Sequence, residues 1–297
     1  VSVDRRTADD IAARLMLVVT LFACSLIFIL ALTLLRSSLP ILSNRSLTEL
    51  LFSDIWNPPK GEFGLFPFIV GTLIVTGIAM VIAIPTCFLT AIYLAEYAPS
   101  KIRKIVKPPI DLLAGIPSVV FGLWGVLLVV PIIRDFIAPL AGATSTGYCV
   151  LAGGIVLAIM VFPIIISVSE EVFKTIPFGM REASLALGAT KWQTVKHVVV
   201  RKGLPGFTAA VTLGFGRAFG ETMAVLMVMG NVAKIPTSLF DSGYALPALI
   251  ANNYGEMMSI PMYDSALLFA ALVLLAVIVF FSVLARLVLL RVEKRSD

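Results

Sequence analysis

Two charged side chains sit inside an otherwise apolar run of this chain. Arg217 and Glu221 lie between Gly203 and about Asn231, in a stretch with no other charge. Arg217 falls about twelve residues past Pro205, near mid-bilayer at about 1.5 Å per residue if the run is a membrane helix. A charge at that depth costs roughly 2.5–3.5 kcal/mol on insertion scales, so it needs a cavity or a partner. On one continuous helix, residues four apart share a face, which here also takes in Ala210, Gly214, Ala224, Val228 and Asn231. An arginine presents a planar, permanently charged set of donors that suits a tetrahedral oxyanion. The glutamate would neutralise and orient it, or accept a hydrogen bond from a protonated oxyanion. The same residues also fit a buried ion pair that locks helices together. Gly214 leaves room beside the pair, and Gly216 and Gly220 give a spacing of four on an adjoining face that suits close helix packing.

A second constellation precedes it. Glu182, Ala183, Ser184 and Gly188 open a basic segment that ends in Leu204-Pro205. It reads as one or two short amphipathic helices, with Ala183, Leu187, Val195 and Val198 as apolar ridges and Lys191, Lys196 and Arg201 facing outward. Gly188 permits a turn or a close backbone approach. A solvated loop anchored by positive charge fits the same composition.

The surroundings of these segments are those of a membrane protein. Of 297 residues, 59% are hydrophobic and 14% charged, with mean hydropathy +1.01, whereas soluble domains carry nearer a quarter charged residues. The apolar residues come in runs long enough to cross a bilayer, about 20 each. Six spans are expected, at about 15–35, 66–94, 112–133, 148–169, 204–231 and 265–285. Residues 1–14 are expected to form a cytoplasmic N-terminal segment and 15–297 a single transmembrane domain, with a cytoplasmic loop at 170–203. The first apolar run is too long for a signal-peptide core and is expected to stay as the first span. Pro85 is expected to kink the second span, and Gly115-Ile-Pro117-Ser118 to break the chain at the start of the third. A short interfacial or re-entrant helix is expected around Leu246 to Tyr254.

Six spans put both termini on one side. Of the 23 lysines and arginines, seventeen fall on that side and five on the other, with Arg217 within a span; this bias assigns the termini and the 170–203 loop to the cytoplasm. Several classes of chemistry are disfavoured. The basic residues are spread among short loops rather than set in a nucleic-acid-binding patch. Cys24, Cys87 and Cys149 lie in apolar runs and read as small core residues. One histidine, His197, supports neither a metal site nor a Ser/His/Asp arrangement. No glycine-rich loop ending in Gly-Lys-Ser/Thr is present, so P-loop binding of ATP by this chain is not expected. Glu170, Glu171 and Asp111 read as interfacial or coupling residues, and Trp124 as packing. The opposite loops, with Asp54, Trp56, Asp241 and Tyr244, are candidates for docking an external protein.

Glu182-Ala183-Ser184, Gly188 and the downstream Leu204-Pro205 resemble the coupling loop of ABC importer permeases, whose usual form is Glu-Ala-Ala, three residues, Gly, and a later Leu-Pro. Ser184 replaces the second alanine, and Val200-Arg201 stands where the Leu-Pro often falls. The resemblance implies short helices that dock in a cleft of an ATP-hydrolysing subunit. Arg217-Ala-Phe-Gly-Glu221-Thr-Met-Ala-Val225, Trp56-Asn-Pro58, Phe66-Pro-Phe-Ile-Val-Gly71-Thr72-Leu73 and Gly115-Ile-Pro117-Ser-Val-Val-Phe-Gly122 are similar to the permeases of the phosphate-specific ABC importer. The Glu-Thr-Met-Ala-Val form looks like the C-type subunit of that system. The resemblance implies an all-α membrane fold of the type I importer kind and transport of inorganic phosphate. It also implies an A-type sister permease, two ATP-binding subunits that hold ATP and magnesium, and an extracytoplasmic phosphate-binding protein. No catalytic residue and no bound cofactor is expected in this chain, and no nucleic-acid partner. In that family an arginine and a glutamate of this motif are implicated in transport, and they map onto Arg217 and Glu221. The alternatives are a permease for another oxyanion such as molybdate or sulfate, a secondary anion transporter, and a membrane scaffold or sensor that moves nothing.

Overall fold

In the computed structural model, residues 5–255 and 260–296 are described; the parts of the N-terminal segment, of the 233–262 loop and of the tail that fall on 1–4, 256–259 and 297 lie outside them. The chain is helical nearly throughout. Helix α1 (Arg5–Asn44) leads into the short α2 (Leu47–Phe52), whose first turn is capped by Ser46 accepting from the Glu49 N–H. The Trp56-Asn-Pro-Pro59 sequence cannot continue a helix. It forms instead a two-stranded antiparallel ribbon, β1 (Trp56–Asn57) with β2 (Glu62–Phe63), Trp56 opposite Phe63.

Helix α3 (Phe66–Ile92) runs on through a π turn, Tyr93–Tyr97. Helix α4 (Ser100–Gly115) follows, and the chain then turns at Ile116 and Pro117, both extended. The residue before a proline is pushed out of the helical region, which puts the break where the sequence expected it. The third apolar rod therefore starts at Ser118 and not at Leu112. It passes through α5 (Ser118–Trp124), a π turn (Gly125–Val129), α6 (Val130–Ile132), a second π turn (Ile133–Ile137) and α7 (Ala138–Leu140). Arg134, expected in a turn, lies inside this rod.

Helix α8 (Val150–Thr175) is followed by α9 (Phe178–Ala186) and α10 (Lys191–Thr194). A π turn (Val195–Val199) then feeds α11 (Val200–Phe219). The remaining helices are α12 (Met223–Val228), α13 (Leu246–Asn253) and α14 (Tyr263–Ser296). Among the described residues, five stretches are long and apolar enough to cross a membrane: Asp9–Asn44, Phe66–Tyr97, Ser118–Leu140, Val150–Thr175 and Tyr263–Val288. The expected fifth span, 204–231, is not among them, because the helix stops at Phe219 and restarts at Met223.

Helix α8 is the centre of the packing. On one side it meets α3 so closely that a Cβ added at Gly154 would lie 2.3 Å from Ile78. Along α11, Gly203, Ala210 and Gly214 are buried, and added Cβ atoms at Gly203 and Gly214 would strike Phe173 and Ile165 of α8. On its other side α8 packs with α5–α7 and α12 in a second apolar cluster that includes Phe121, Val156, Met160, Ala224 and Val228. Phe215 and Phe219 stack with Phe281, joining α11 to α14. Helix α1 packs along α14: near its end Ile41 is buried and its N–H donates to the Ser265 hydroxyl, while its middle carries exposed apolar side chains such as Phe22 and Phe28.

Candidate functional site

Two regions hold the residues singled out above, and α11 connects them. The first is the break between α11 and α12. Gly220, Glu221 and Thr222 interrupt the helix, so Arg217 and Glu221 do not share a continuous helical face. This corrects the face inferred from a spacing of four. The Arg217 side chain is exposed on the surface of the chain, and among the described residues it has no ion-pair or hydrogen-bond partner. Glu221 turns to α12, where its Oε1 accepts from the Ala224 N–H at 3.1 Å and caps the helix start.

The expected small-residue surroundings divide accordingly. Gly214 packs on α8. Gly216 would meet nothing within 4 Å if given a Cβ, and Gly220 only its own helix's carbonyls. The Gly216–Gly220 spacing therefore joins no helix within the described chain. Leu213, Gly216, Arg217 and Gly220 are all exposed and form one open strip on α11, one to two turns long. Helix α12 is held by the rod opposite: a Cβ on Gly122 would fall 2.6 Å from the Met227 sulfur and 3.2 Å from the Ala224 Cα. At the end of α12, Asn231 adopts φ +54° and its amide donates to the Leu226 carbonyl at 2.8 Å.

The second region is the loop between α8 and α11. Glu182, Ala183 and Ser184 lie on α9, and Gly188 makes the turn to α10 with φ +84°, a conformation costly for a residue with a Cβ. Thr190 and Gln193 form a reciprocal capping box that starts α10. The Ser184 and Thr194 hydroxyls lie 2.9 Å apart and tie the two short helices together. Leu204 and Pro205 are within α11, the proline inside the helix, so the loop ends earlier than that pair implied. The ridges differ from expectation too. Val195 and Val199 turn inward, while Glu182 and Ala183 are exposed alongside Phe178, Leu185, Leu187 and Trp192; Leu187 is 89% exposed. Exposed apolar side chains grouped at the tip of a loop mark a candidate interaction surface.

Sequence reasoning passed over Arg181. It sits one residue before the motif and reaches back to Glu96 in the π turn after α3, with Nη2 2.6 Å from Glu96 Oε1. No local spacing announces a pair 85 residues apart.

At the opposite end, Trp56, Phe63, Phe68, Tyr244 and Tyr263 form an aromatic cluster, with Trp56 5.2 Å from Phe68. Tyr244 is buried and its hydroxyl accepts from the Asn252 and Asn253 amides. Asp241 accepts from the Thr237 hydroxyl and the Thr237 and Ser238 N–H groups, and these bonds, the hydroxyl's foremost, hold its carboxyl below the usual range. Tyr244 and Asp241 thus shape their own loop, and of the four docking candidates Asp54 is freely exposed. Among the described residues no group of His, Cys, Asp and Glu has metal-binding geometry.

A family model described as "Binding-protein-dependent transport system inner membrane component" matches residues 83–294, from the second half of α3 into α14. The chain belongs to that family. It is thus a membrane component, itself non-catalytic, of an importer that works with an ATPase and a binding protein. Among curated relatives, the phosphate transport system permease protein PstC of Xylella fastidiosa (strain 9a5c) is 40% identical over 259 residues, 82% of this chain and 79% of that protein. The probable ABC transporter permease protein YqgH of Bacillus subtilis (strain 168) is 38% identical over 290 residues, 95% and 91% of the two chains. The probable phosphate transport system permease protein PstC of Methanocaldococcus jannaschii is 33% identical over 279 residues, 88% of each. Among solved structures, the inward-facing MetNI methionine ABC transporter matches with TM-score 0.55 and 20% identity over 76% of this chain and 93% of its own. A bacterial ABC transporter involved in import of the polysaccharide alginate matches with TM-score 0.54 and 15% identity over 98% of each chain. These two likenesses place the fold of this inner-membrane component among ABC importer permeases.

Proposed function

We propose that this chain is a permease subunit for inorganic phosphate and builds the translocation pathway with a sister permease of the A type. One observation carries the reading. Arg217 stands on the exposed strip of α11, beside the break before α12, with its donors unused among the described residues of its own chain. A permanently charged planar group held at that depth calls for an anion or an anionic partner from outside the chain. The phosphate permeases among the relatives support phosphate as that anion. In this reading helices α11 and α12 together make the fifth of six crossings, broken at Gly220–Thr222, and irregular backbone at such depth is tolerated where it lines a cavity or is covered by protein. Both termini and the α9–α10 loop face the cytoplasm in this reading. Glu182, Ala183, Ser184 and Gly188 then present the docking surface to one of two ATP-binding subunits, which hold ATP and magnesium and hydrolyse it. An extracytoplasmic phosphate-binding protein delivers the cargo at the opposite end.

The mechanism follows from these parts. ATP binding draws the two ATP-binding subunits together, and α9 and α10 pass the movement to α8 and α11. The pathway opens alternately to the two sides, and phosphate passes Arg217, which offsets its charge in transit. The test is uptake of radiolabelled phosphate by cells that lack their own high-affinity system and carry the assembled importer. Arg217→Gln is expected to abolish uptake while the complex stays assembled. Disassembly of the variant would assign Arg217 to a structural ion pair with the partner. Failure of the unaltered importer to take up phosphate, with competition by molybdate or sulfate in its place, would reassign the cargo.

A further inference from the structure

Three cations from three separate segments converge on one five-residue turn. The turn is the π turn Tyr93–Tyr97 that ends α3. From α9, Arg181 binds Glu96 through Nε (3.1 and 3.2 Å to the two carboxylate oxygens) and Nη2 (2.6 Å). Its Nη1 also donates to the Ile176 carbonyl and its Nη2 to the Phe173 carbonyl at 2.8 Å, both at the end of α8. From α4, Arg103 donates to the Leu94 carbonyl through Nε (3.0 Å) and Nη2 (2.7 Å), and to the Ala95 carbonyl at 3.2 Å. From α10, the Lys191 ammonium lies 4.5 Å from the centre of the Tyr97 ring. The Arg181 and Glu96 side chains are only 13% and 9% exposed.

This arrangement exceeds what helix termination needs. The π turn leaves backbone carbonyls without their usual i+4 partners, and one arginine would satisfy them. Here the neighbours that grip it are the docking loop on one side and, on the other, α4, which leads through the Ile116–Pro117 turn into the α5–α7 rod against which α12 rests. An ion pair this buried is weak evidence for stability, since desolvation offsets its attraction, but it fixes register well. Arg181 spends every nitrogen of its guanidinium on two different helices at once, and planar fork geometry makes such a joint stiff.

We infer that the Tyr93–Tyr97 turn is the relay through which displacement of the docking loop reaches α3 and α4, with Arg181 and Glu96 as the positioning pair that makes the loop and the end of α3 move as one body. The inference rests on the proposed role of α9 and α10 in docking an ATP-binding subunit. It assigns a role to two residues that touch neither cargo nor nucleotide.

The test has two arms, both on the assembled complex in membranes. In the first, spin labels are placed at exposed Leu89 and Ala186 (Cys24, the exposed native cysteine, being changed to serine), and the width of the distance distribution is read. It is expected to be narrow with the native pair and to broaden with Glu96→Gln and with Arg181→Lys. Equal widths in all three would overturn the inference, whatever the cargo proves to be. In the second arm, phosphate taken up per ATP hydrolysed is compared. The single variants are expected to keep hydrolysis but lose about tenfold in that ratio, a size typical of coupling between sites. An unchanged ratio would overturn the relay, and parallel loss of hydrolysis and uptake would reduce the pair to a fold-stabilising one. If the unaltered complex imports no phosphate, the cargo assignment falls and the distance arm still decides the joint.

Discussion

Arg181 and Arg217 are two arginines of one chain with opposite surroundings. Arg181 is enclosed, its donors taken up by Glu96 and two carbonyls. Arg217 is exposed and takes no acceptor from the described chain. The contrast separates two uses of the same side chain. A guanidinium saturated by its own fold is a fastening. One left unsaturated on an exposed strip of an otherwise apolar helix is free, in the proposed reading, to meet a group from outside the chain. The two arginines thus differ in kind: Arg181 is saturated within this subunit, and Arg217 at the α11–α12 break is not.

The comparison breaks most sharply on stability. Arg181→Ala leaves the nearly buried Glu96 unpaired, which costs about 3–5 kcal/mol in comparable cases, and should lower the thermal unfolding midpoint of the purified complex. Arg217→Ala in the same assay should move stability by about 0.5 kcal/mol or less. Equal losses would erase the distinction between the two arginines. Next in size is Arg217→Lys, which keeps the charge but not the planar fork. Losing a charge-assisted hydrogen bond is worth roughly 1.5–3 kcal/mol, and uptake at low phosphate should fall on the order of tenfold to a hundredfold. Native uptake would mean that charge alone suffices.

A third change probes what holds the broken segment. Gly122→Val drives a branched side chain into Met227 and Ala224, an overpacking of about 1–3 kcal/mol, and should displace α12 with its Glu221 cap and slow uptake. Gly216→Ala meets nothing within this chain and serves as its counterpart. Any loss of assembly in Gly216→Ala would show a sister helix lying on the open strip. The smallest effect is expected from Glu221→Gln, which keeps an oxygen for the Ala224 N–H and removes the charge beside the α12 terminus. The stability change should stay near 0.5 kcal/mol, so a large fall in uptake would belong to the charge itself.

The sequence made some of this readable and hid the rest for physical reasons. Long apolar runs need no partner to be recognised, and Pro117 forces its break through local sterics alone. The break at Gly220–Thr222 carries no proline. It depends on the groove that Gly122 and Gly125 open for α12, a tertiary cause invisible in a hydropathy window. A spacing of four between Arg217 and Glu221 implies a shared face only where the helix is continuous. Likewise the Gly216–Gly220 spacing says that a close approach is possible, without saying to what. The short helices and the turn at Gly188 were legible from Glu182, Ala183, Ser184 and Gly188, yet the segment's internal attachment, Arg181 to Glu96, spans 85 residues. The π turns were equally hidden, since each is an adjustment to packing.

The length of α1 fixes where the whole molecule floats. Its candidate span, Asp9–Asn44, has 36 residues, about 54 Å of helix at 1.5 Å per residue. The hydrocarbon of a bilayer is about 30 Å thick, and a helix of that length would have to lean by about 56° to stay within it, beyond the usual limit of about 40°. Part of the rod must therefore stand in the headgroup layer or in water. The uncharged stretch from Leu15 to Leu35 alone matches the oil, about 32 Å. On that placement the nine residues from Arg36 to Asn44 would extend about 13 Å further, so the helix would act as a plumb line that sets the waterline of the subunit and holds α2 and the β1–β2 ribbon at the level of the headgroups.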